Sequence, residues 1–254
     1  MKIGITGSRG FIGRHLVNAL QNKRRVKLYG CDLPECNLLR TNFCKNFVVG
    51  KDVIIHTAAV NRGADDEIIV GSIVATYNLV SAMKEGRKKA RLIFLSSTQA
   101  ETETIYGLSK RLTEIMLQGF AKEYKIPITV FRVANVFGEG CRPFYNSVVA
   151  TFCYQAAKNR KLTVTDGKRK MNFIYVKDLA KIVFNEVFAR RKRYFYFKRI
   201  ATDNVITVEN LASLIKSFDK IKSSQELKNR FYKNLYHAYL SYKNNQNGRQ
   251  KIRS

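Results

Sequence analysis

The sequence predicts an α/β protein, a doubly wound parallel sheet with a small C-terminal lobe, on three observations. Short apolar runs alternate with stretches of helical spacing, the order that builds parallel strands joined by helices. Three glycines, Gly7, Gly10 and Gly13, follow the first apolar run directly, where a strand turns into a helix. Hydrophobic residues make up 45% of the 254, with only three prolines and no long glycine or serine tract, which suits one sizeable core without a flexible linker.

Lys2 to Thr6 reads as the first strand, and residues 11–20, with Ile12, Leu16, Val17 and Leu20 at helical spacing, read as the first helix. The turn between them, Gly7-Ser8-Arg9-Gly10-Phe11-Ile12-Gly13, has the spacing G-x-x-G-x-x-G rather than G-x-G-x-x-G. Residues without Cβ let the backbone approach a pyrophosphate, which then rests on the amide-rich, positive end of the helix. Such a turn alone serves packing as readily as binding. The second strand, residues 26–32, ends in Asp32, 19 residues past Gly13, where a ribose-binding carboxylate belongs in a nucleotide-binding βαβ unit. Residues 52–59 form a third, buried strand closing on Ala58 and Ala59, with Val60 next, which leaves room for a cofactor at its carboxyl end.

The fourth strand, residues 91–95, delivers Ser96, Ser97 and Thr98 to its C-terminal edge. Helical stretches lie at 79–83, ahead of it, and at 108–124 and 147–158, beyond it. Tyr106 and Lys110 share one helix face, because residues four apart are neighbours. A phenol titrates near pH 10 and is a poor acid–base group unless helped, and a lysine ammonium one turn away favours its ionised form. Tyr-x-x-x-Lys alone also describes an ordinary exposed helix turn. Behind a glycine turn and a Ser/Thr strand edge, it points to a nicotinamide cofactor and a proton donor in one pocket.

Taken together these motifs resemble the extended short-chain dehydrogenase/reductases, the NAD-dependent epimerase/dehydratase family, over residues 1–214. The resemblance implies a Rossmann-type fold acting on a nucleotide-sugar. It assigns Gly7, Gly10 and Gly13 to the pyrophosphate, Ser8, Arg9, Phe11 and Ile12 of the same turn to the cofactor, Asp32 to the adenosine ribose, and Ala58, Ala59 and Val60 to the cofactor wall. Thr98, Tyr106 and Lys110 become the catalytic set, Lys110 also holding the nicotinamide ribose. Residues 132–138, with Asn135 facing the nucleotide-sugar, and 173–178 resemble later family signatures. Residues 56–62 and 136–153 resemble one branch, which reduces a UDP-activated 4-keto-6-deoxy hexosamine for capsular polysaccharide. That branch implies substrate contacts from Asn61, Arg62, Arg142, Asn146 and Ser147. Met171 stands where many members carry an arginine for the sugar-nucleotide phosphates, with Lys168, Arg169 and Lys170 nearby. Residues 234–242 resemble the branch's exit toward a C-terminal cupin, so the chain is expected to be the reductase half, with a separate cupin-type epimerase as partner. A 4-epimerase holding NAD tightly, and a non-catalytic nucleotide- or RNA-binding protein on the same fold, remain alternatives. Asp32 suits NAD and Arg9 suits the extra phosphate of NADP, and the branch implies NADP. A homodimer through the helices bearing Ser81 and Tyr106 is the family's habit.

Residues 1–223 are expected to form the dinucleotide-binding domain, with lobe segments mainly within 139–223, and 224–254 a basic helix or tail. The formal charge is +27, and residues 158–254 hold 24 Lys and Arg against 7 Asp and Glu. Residues 190–199 mix cations with aromatics, as single-stranded nucleic-acid channels do, but also read as an apolar strand between basic loops. A basic surface steers an anionic UDP-sugar as well, and nucleic acid is not the expected partner. Cys31, Cys36, Cys44, Cys141 and Cys153 lack Cys-x-x-Cys spacing and are expected as thiols, not as a disulfide frame or metal site. His15, His56 and His237 are too scattered for ligands. The expected site is cytoplasmic, with no leader peptide or membrane span.

Overall fold

The computed structural model describes residues 1–86 and 89–250, the last six by backbone alone. Two compact units make up the chain: Met1–Val133 with Ala180–Ile200, and Ala134–Leu179 with Ala201–Ser254. Residues 251–254 of the expected tail lie outside the described residues.

The first unit runs β1 (Lys2–Thr6), α1 (Phe11–Leu20), β2 (Lys27–Cys31), α2 (Thr41–Val48), β3 (Val53–His56), α3 (Asp65–Ile69), α4 (Ala75–Glu85), β4 (Arg91–Ser97), α5 (Ile105–Tyr124) and β5 (Ile128–Val133). After the second unit's β6 (Asn135–Phe137), α6 (Val148–Ala157) and β7 (Lys170–Tyr175), α7 (Val176–Phe188) returns the chain to it, and β8 (Phe195–Ile200) completes its sheet. Six parallel strands lie in the order β2-β1-β3-β4-β5-β8, the doubly wound arrangement expected. Buried on both faces, the central strands need uninterrupted apolar runs, and Ile3, Ile5, Ile54, Ile55, Leu92 and Ile93 are wholly buried. The order reverses at β1, whose neighbours β2 and β3 lie on opposite sides. Ligands of open α/β sheets bind at such a reversal, beyond the strands' carboxyl ends. The run of cations and aromatics contributes β8, an edge strand in register with β5 from Ile128↔Phe195 onward.

One buried carboxylate ties α7 to this sheet. Glu186 accepts from Thr129 Oγ1 (2.8 Å) and from Arg191 Nε (3.1 Å) and Nη2 (2.5 Å), while Arg91 donates to the carbonyls of Glu186, Val187 and Ala189. Removing one member leaves buried charge uncompensated, so Glu186→Ala should cost about 3–5 kcal/mol of stability, read by urea unfolding. An unchanged midpoint would show the cluster to be idle.

Cys31 and Cys36, expected as thiols, are instead joined by a disulfide, their Cα atoms 5.1 Å apart. The cause is local. Cys31 ends β2, and the Cys36 N–H donates to the Asp32 carbonyl (2.8 Å), a turn that folds the two into bonding range. Cys44, Cys141 and Cys153 are free.

The second unit pairs β6 with β7 in parallel and β7 with β9 (Val205–Thr207) antiparallel, then adds α8 (Val208–Ser217) and α9 (Arg230–Gln250). Through its first turns α9 is no frayed tail. Phe231 stacks on Phe173, Leu235 and Tyr239 are buried, and Tyr236 donates to the Ile221 carbonyl (2.9 Å). Among the described residues no helix is long and apolar enough to cross a membrane, and no His/Cys/Asp/Glu group is arranged to hold a metal.

Candidate functional site

The glycine turn stands at the sheet's reversal point. Gly7 has φ +69°, donates to the Cys31 carbonyl (2.9 Å) and accepts from the Gly10 N–H (3.0 Å). A Cβ at Gly7 would meet Ala58 N at 2.9 Å, and one at Gly13 would lie inside contact distance of the Gly7 carbonyl oxygen. Gly10 caps α1 without a side chain, which leaves the helix's positive end to the backbone of Phe11, Ile12 and Gly13. The turn fits as a cradle for a pyrophosphate in that its tight backbone, which excludes a Cβ at Gly7 and Gly13, opens α1 without a side-chain cap on the helix N-terminus.

Beside it, Asp32 sits one residue beyond β2. Its carboxylate accepts from Ser8 Oγ (2.5 Å) and the Arg9 N–H (2.9 Å). The Arg9 guanidinium pairs with Glu35 and donates to the Leu33 carbonyl (2.7 Å). Beyond β3, Ala58, Ala59 and Val60 are half-buried, and the Ala58 N–H donates to Thr6 Oγ1 (3.3 Å). That hydroxyl also meets His56 Nδ1 (2.6 Å), while His56 Nε2 meets Thr76 Oγ1 (2.9 Å). Because Thr76 donates to the Ser72 carbonyl (2.6 Å), its oxygen accepts from Nε2–H, and His56 is the neutral Nε2–H tautomer. Burial, with Lys110 adding to it, holds the imidazole pKa down at about 3. His56 is buried and bonded on both ring nitrogens between β1 and α4. Asn61 Oδ1, next along, is a buried oxygen without a hydrogen-bond partner among the described residues, and Arg62 is exposed.

The residues expected as the catalytic set, Thr98, Tyr106 and Lys110, lie in the same unit. β4 runs on through Ser97, and Thr98, half-buried, opens a short 3-10 turn in which Ser97 Oγ accepts from the Gln99 N–H (3.1 Å). Thr104 Oγ1 caps α5 by accepting from the Gly107 N–H (3.1 Å), so Tyr106 falls in the helix's first turn. The phenol hydrogen-bonds Ser97, and burial outweighs that contact, pushing it up to about 12. Lys110 is buried, its Nζ 5.0 Å from the Phe94 ring centre and 5.6 Å from that of Tyr106. Burial brings its pKa down to about 8, against the pull of Glu114. Glu114, one turn further along this face, accepts from Ser96 Oγ (2.5 Å) and Arg132 Nε (3.1 Å). From sequence Ser97 is named at the strand edge but not as the phenol's partner, and Glu114 is not singled out. The i+4 step from Lys110 to Glu114 was the available signal.

The remaining predicted residues belong to the second unit. Asn135 opens β6, its Nδ2 donating to the Asn172 carbonyl (3.0 Å). Arg142 is exposed, with its guanidinium 5.4 Å from the Tyr145 ring centre, and Asn146 is exposed. Ser147 caps α6, its Oγ accepting from the Ala150 N–H (3.2 Å). Met171 lies half-buried in β7. Unpredicted here is Glu139, which accepts from the Tyr175 hydroxyl (2.7 Å) and Lys177 Nζ (2.8 Å).

Residues 3–186 match the NAD dependent epimerase/dehydratase family. Over 246 residues the chain is 29% identical to the UDP-2-acetamido-2,6-beta-L-arabino-hexul-4-ose reductase of Pseudomonas aeruginosa, covering 95% of this chain and 65% of that protein. The capsular polysaccharide assembling protein CapF of Staphylococcus aureus superposes with a TM-score of 0.75 at 28% identity, over 95% of this chain and 65% of its own. The chain thus spans about two-thirds of each. The UDP-glucuronic acid 4-epimerase of Bacillus cereus shares the fold, with a TM-score of 0.85 at 19% identity over 96% and 99% of the two chains. With the glycine turn, the strand-edge hydroxyls and the Tyr106–Lys110 pair in the places the motifs require, the chain belongs to the NAD dependent epimerase/dehydratase family.

Proposed function

We propose that the chain is an NAD(P)H-dependent oxidoreductase that reduces the 4-keto group of a UDP-activated 6-deoxy-hexosamine, a step in surface polysaccharide precursor synthesis. The observation that carries this reading is the phenol of Tyr106, hydrogen-bonded to Ser97, one helical turn from the buried Lys110 whose Nζ lies 5.6 Å from its ring centre. A reduction needs a proton donor, which a phenol is at neutral pH; burial makes it a weaker acid than usual, and the Lys110 ammonium is the group that offsets this as the proton leaves. The likeness to the Pseudomonas reductase supports the substrate class.

When bound, the reduced nicotinamide supplies hydride to the ketone carbon. The chain's residues do the rest. Thr98 holds the ketone oxygen, and Tyr106 passes its proton to that oxygen. Lys110 binds the nicotinamide ribose, and its ammonium stabilises the phenolate left behind. Asn61, half-buried just past the third strand, is assigned to the sugar. The family resemblance assigns Asn135, Arg142, Asn146 and Ser147 to a nucleotide-sugar, Arg142 to its diphosphate. The test is loss of reduced-nicotinamide absorbance with NADPH, then NADH, in the presence of a UDP-4-keto-6-deoxy-hexosamine. Consumption that requires the sugar upholds a reductase, whereas sugar interconversion without net consumption replaces it with a 4-epimerase.

The ammonium form of Lys110 is the active one and is lost as pH rises. In the reductive direction kcat/KM should therefore be level below about pH 8 and fall above it, while the phenol stays protonated to about 12. A profile flat to pH 10 would exclude Lys110 as the titrating group.

We also propose a homodimer. α5 exposes Leu108, Leu112 and Ile115 in one stripe, and neighbouring α4, joined to it by the Tyr77–Phe120 ring contact, exposes Tyr77. Leu112→Glu with Ile115→Lys should halve the mass measured by light scattering. A cupin-type epimerase is the further partner this reading takes, to be sought by co-purification. Tight RNA binding that collapses between low and physiological salt would instead favour a nucleic-acid role for the basic surface.

A further inference from the structure

The loop after β2 carries groups that the proposed chemistry leaves unused. Its ends, Cys31 and Cys36, are bridged, and between them lie Asp32 and Glu35. Asp32 faces the glycine turn through Ser8 and the Arg9 N–H. Glu35 pairs with the guanidinium of Arg9, the one cation of that turn, and Leu33 supplies it a carbonyl at 2.7 Å. The Gly7 N–H bond to the Cys31 carbonyl (2.9 Å) fixes the loop's first end against the same turn.

The two nicotinamide dinucleotides differ at the adenosine 2′ position, one bearing a hydroxyl and the other a phosphate. A carboxylate such as Asp32 accepts from the hydroxyl, whereas a phosphate calls for a guanidinium, which binds it bidentately. Arg9 is placed for that contact but is already engaged. A phosphate must displace Glu35 and then tolerate the freed carboxylate nearby. Both side chains are more than half exposed, so the exchange is feasible and its energetic weight modest.

We propose that Glu35, clasped by the Cys31–Cys36 bridge, is a specificity-determining residue for the dinucleotide: its carboxylate competes with a 2′-phosphate for the Arg9 guanidinium, and opening the bridge relaxes that competition. This rests on the dinucleotide reading above. Opening requires a dithiol reductant. Its thiolate attacks the sulfur of Cys36, the more exposed cysteine, and Cys31 leaves as a thiolate that takes a proton. The reductant's second thiol then resolves the mixed disulfide, so two electrons and two protons pass to the chain and the reductant departs as a disulfide.

The test measures Kd for NADH and NADPH on the whole chain, bridged and after dithiothreitol, alongside Glu35→Gln and the double variant Cys31→Ser with Cys36→Ser. Glu35→Gln should tighten NADPH relative to NADH by about three- to tenfold. Reduction, and the double cysteine variant, should move the ratio the same way in the presence of Glu35 and leave it still in Glu35→Gln. The denatured, unreduced chain should show three reactive thiols, those of Cys44, Cys141 and Cys153. Five thiols, or a ratio insensitive to reduction, would overturn the clasp. Both nucleotides binding with a ratio that Glu35→Gln leaves unmoved would overturn the selector while the cofactor reading stood. Binding of neither nucleotide in any form would remove the cofactor reading, and this inference with it.

Discussion

Tyr106→Phe should lower turnover of a 4-keto nucleotide-sugar by roughly two to four powers of ten and leave dinucleotide Kd within about twofold. The variant removes one oxygen and keeps the ring, so the packing of Lys110 beside it survives. What goes is the proton donor together with its hydrogen bond to Ser97. Neutral hydrogen bonds of this kind contribute about 1 kcal/mol to stability, so the fold should barely register the change. Near-full turnover would remove Tyr106 from the chemistry. A loss confined to KM would make it a binding residue.

Gly13→Val should act on the other half of the site. A Cβ there collides with the Gly7 carbonyl, and that carbonyl cannot retreat, because Gly7 is held by the Cys31 carbonyl, by the Gly10 N–H and by its left-handed φ. Overpacking against fixed backbone costs about 3 kcal/mol. Spent wholly on the cradle, that is more than a hundredfold in dinucleotide Kd. Gly119→Ala in α5 is the matched control. Nothing lies within 4 Å of a Cβ there, and the exchange should stabilise the helix by about 1 kcal/mol. Unaltered dinucleotide affinity in Gly13→Val would show that the turn serves packing alone.

These two sites were legible because their chemistry is written in contiguous residues. Strand, glycine turn and helix follow one another within residues 2–20, and Tyr106 and Lys110 are one helical turn apart, so local periodicity places them without knowledge of the rest. β1, β3 and β4 were legible for a related reason, since strands covered on both faces must be apolar throughout. What the sequence reading missed depends on tertiary approach. Glu114 reaches Ser96 and Arg132 only after α5 packs on β4 and β5, each 18 residues away along the chain. The Cys31–Cys36 bridge escaped because spacing statistics do not report that a turn at Asp32 folds the pair together. Nor does the pattern reveal that Ser147, read as a substrate contact, also caps α6: a serine ahead of an apolar run is consistent with either.

The placing of β8 bears on how the chain assembles. β5 ends at Val133, its edge partner begins at Phe195, and the whole of β6, α6 and β7 comes between. A chain emerging from the ribosome therefore presents β5 as a bare, apolar edge until Ile200 has been made. Such an edge is open to pairing with another molecule, and the long interval makes its closure a slow, late event. Truncation before residue 195 should yield insoluble protein, and a supplied peptide of residues 190–200 should compete with aggregation by docking on that edge.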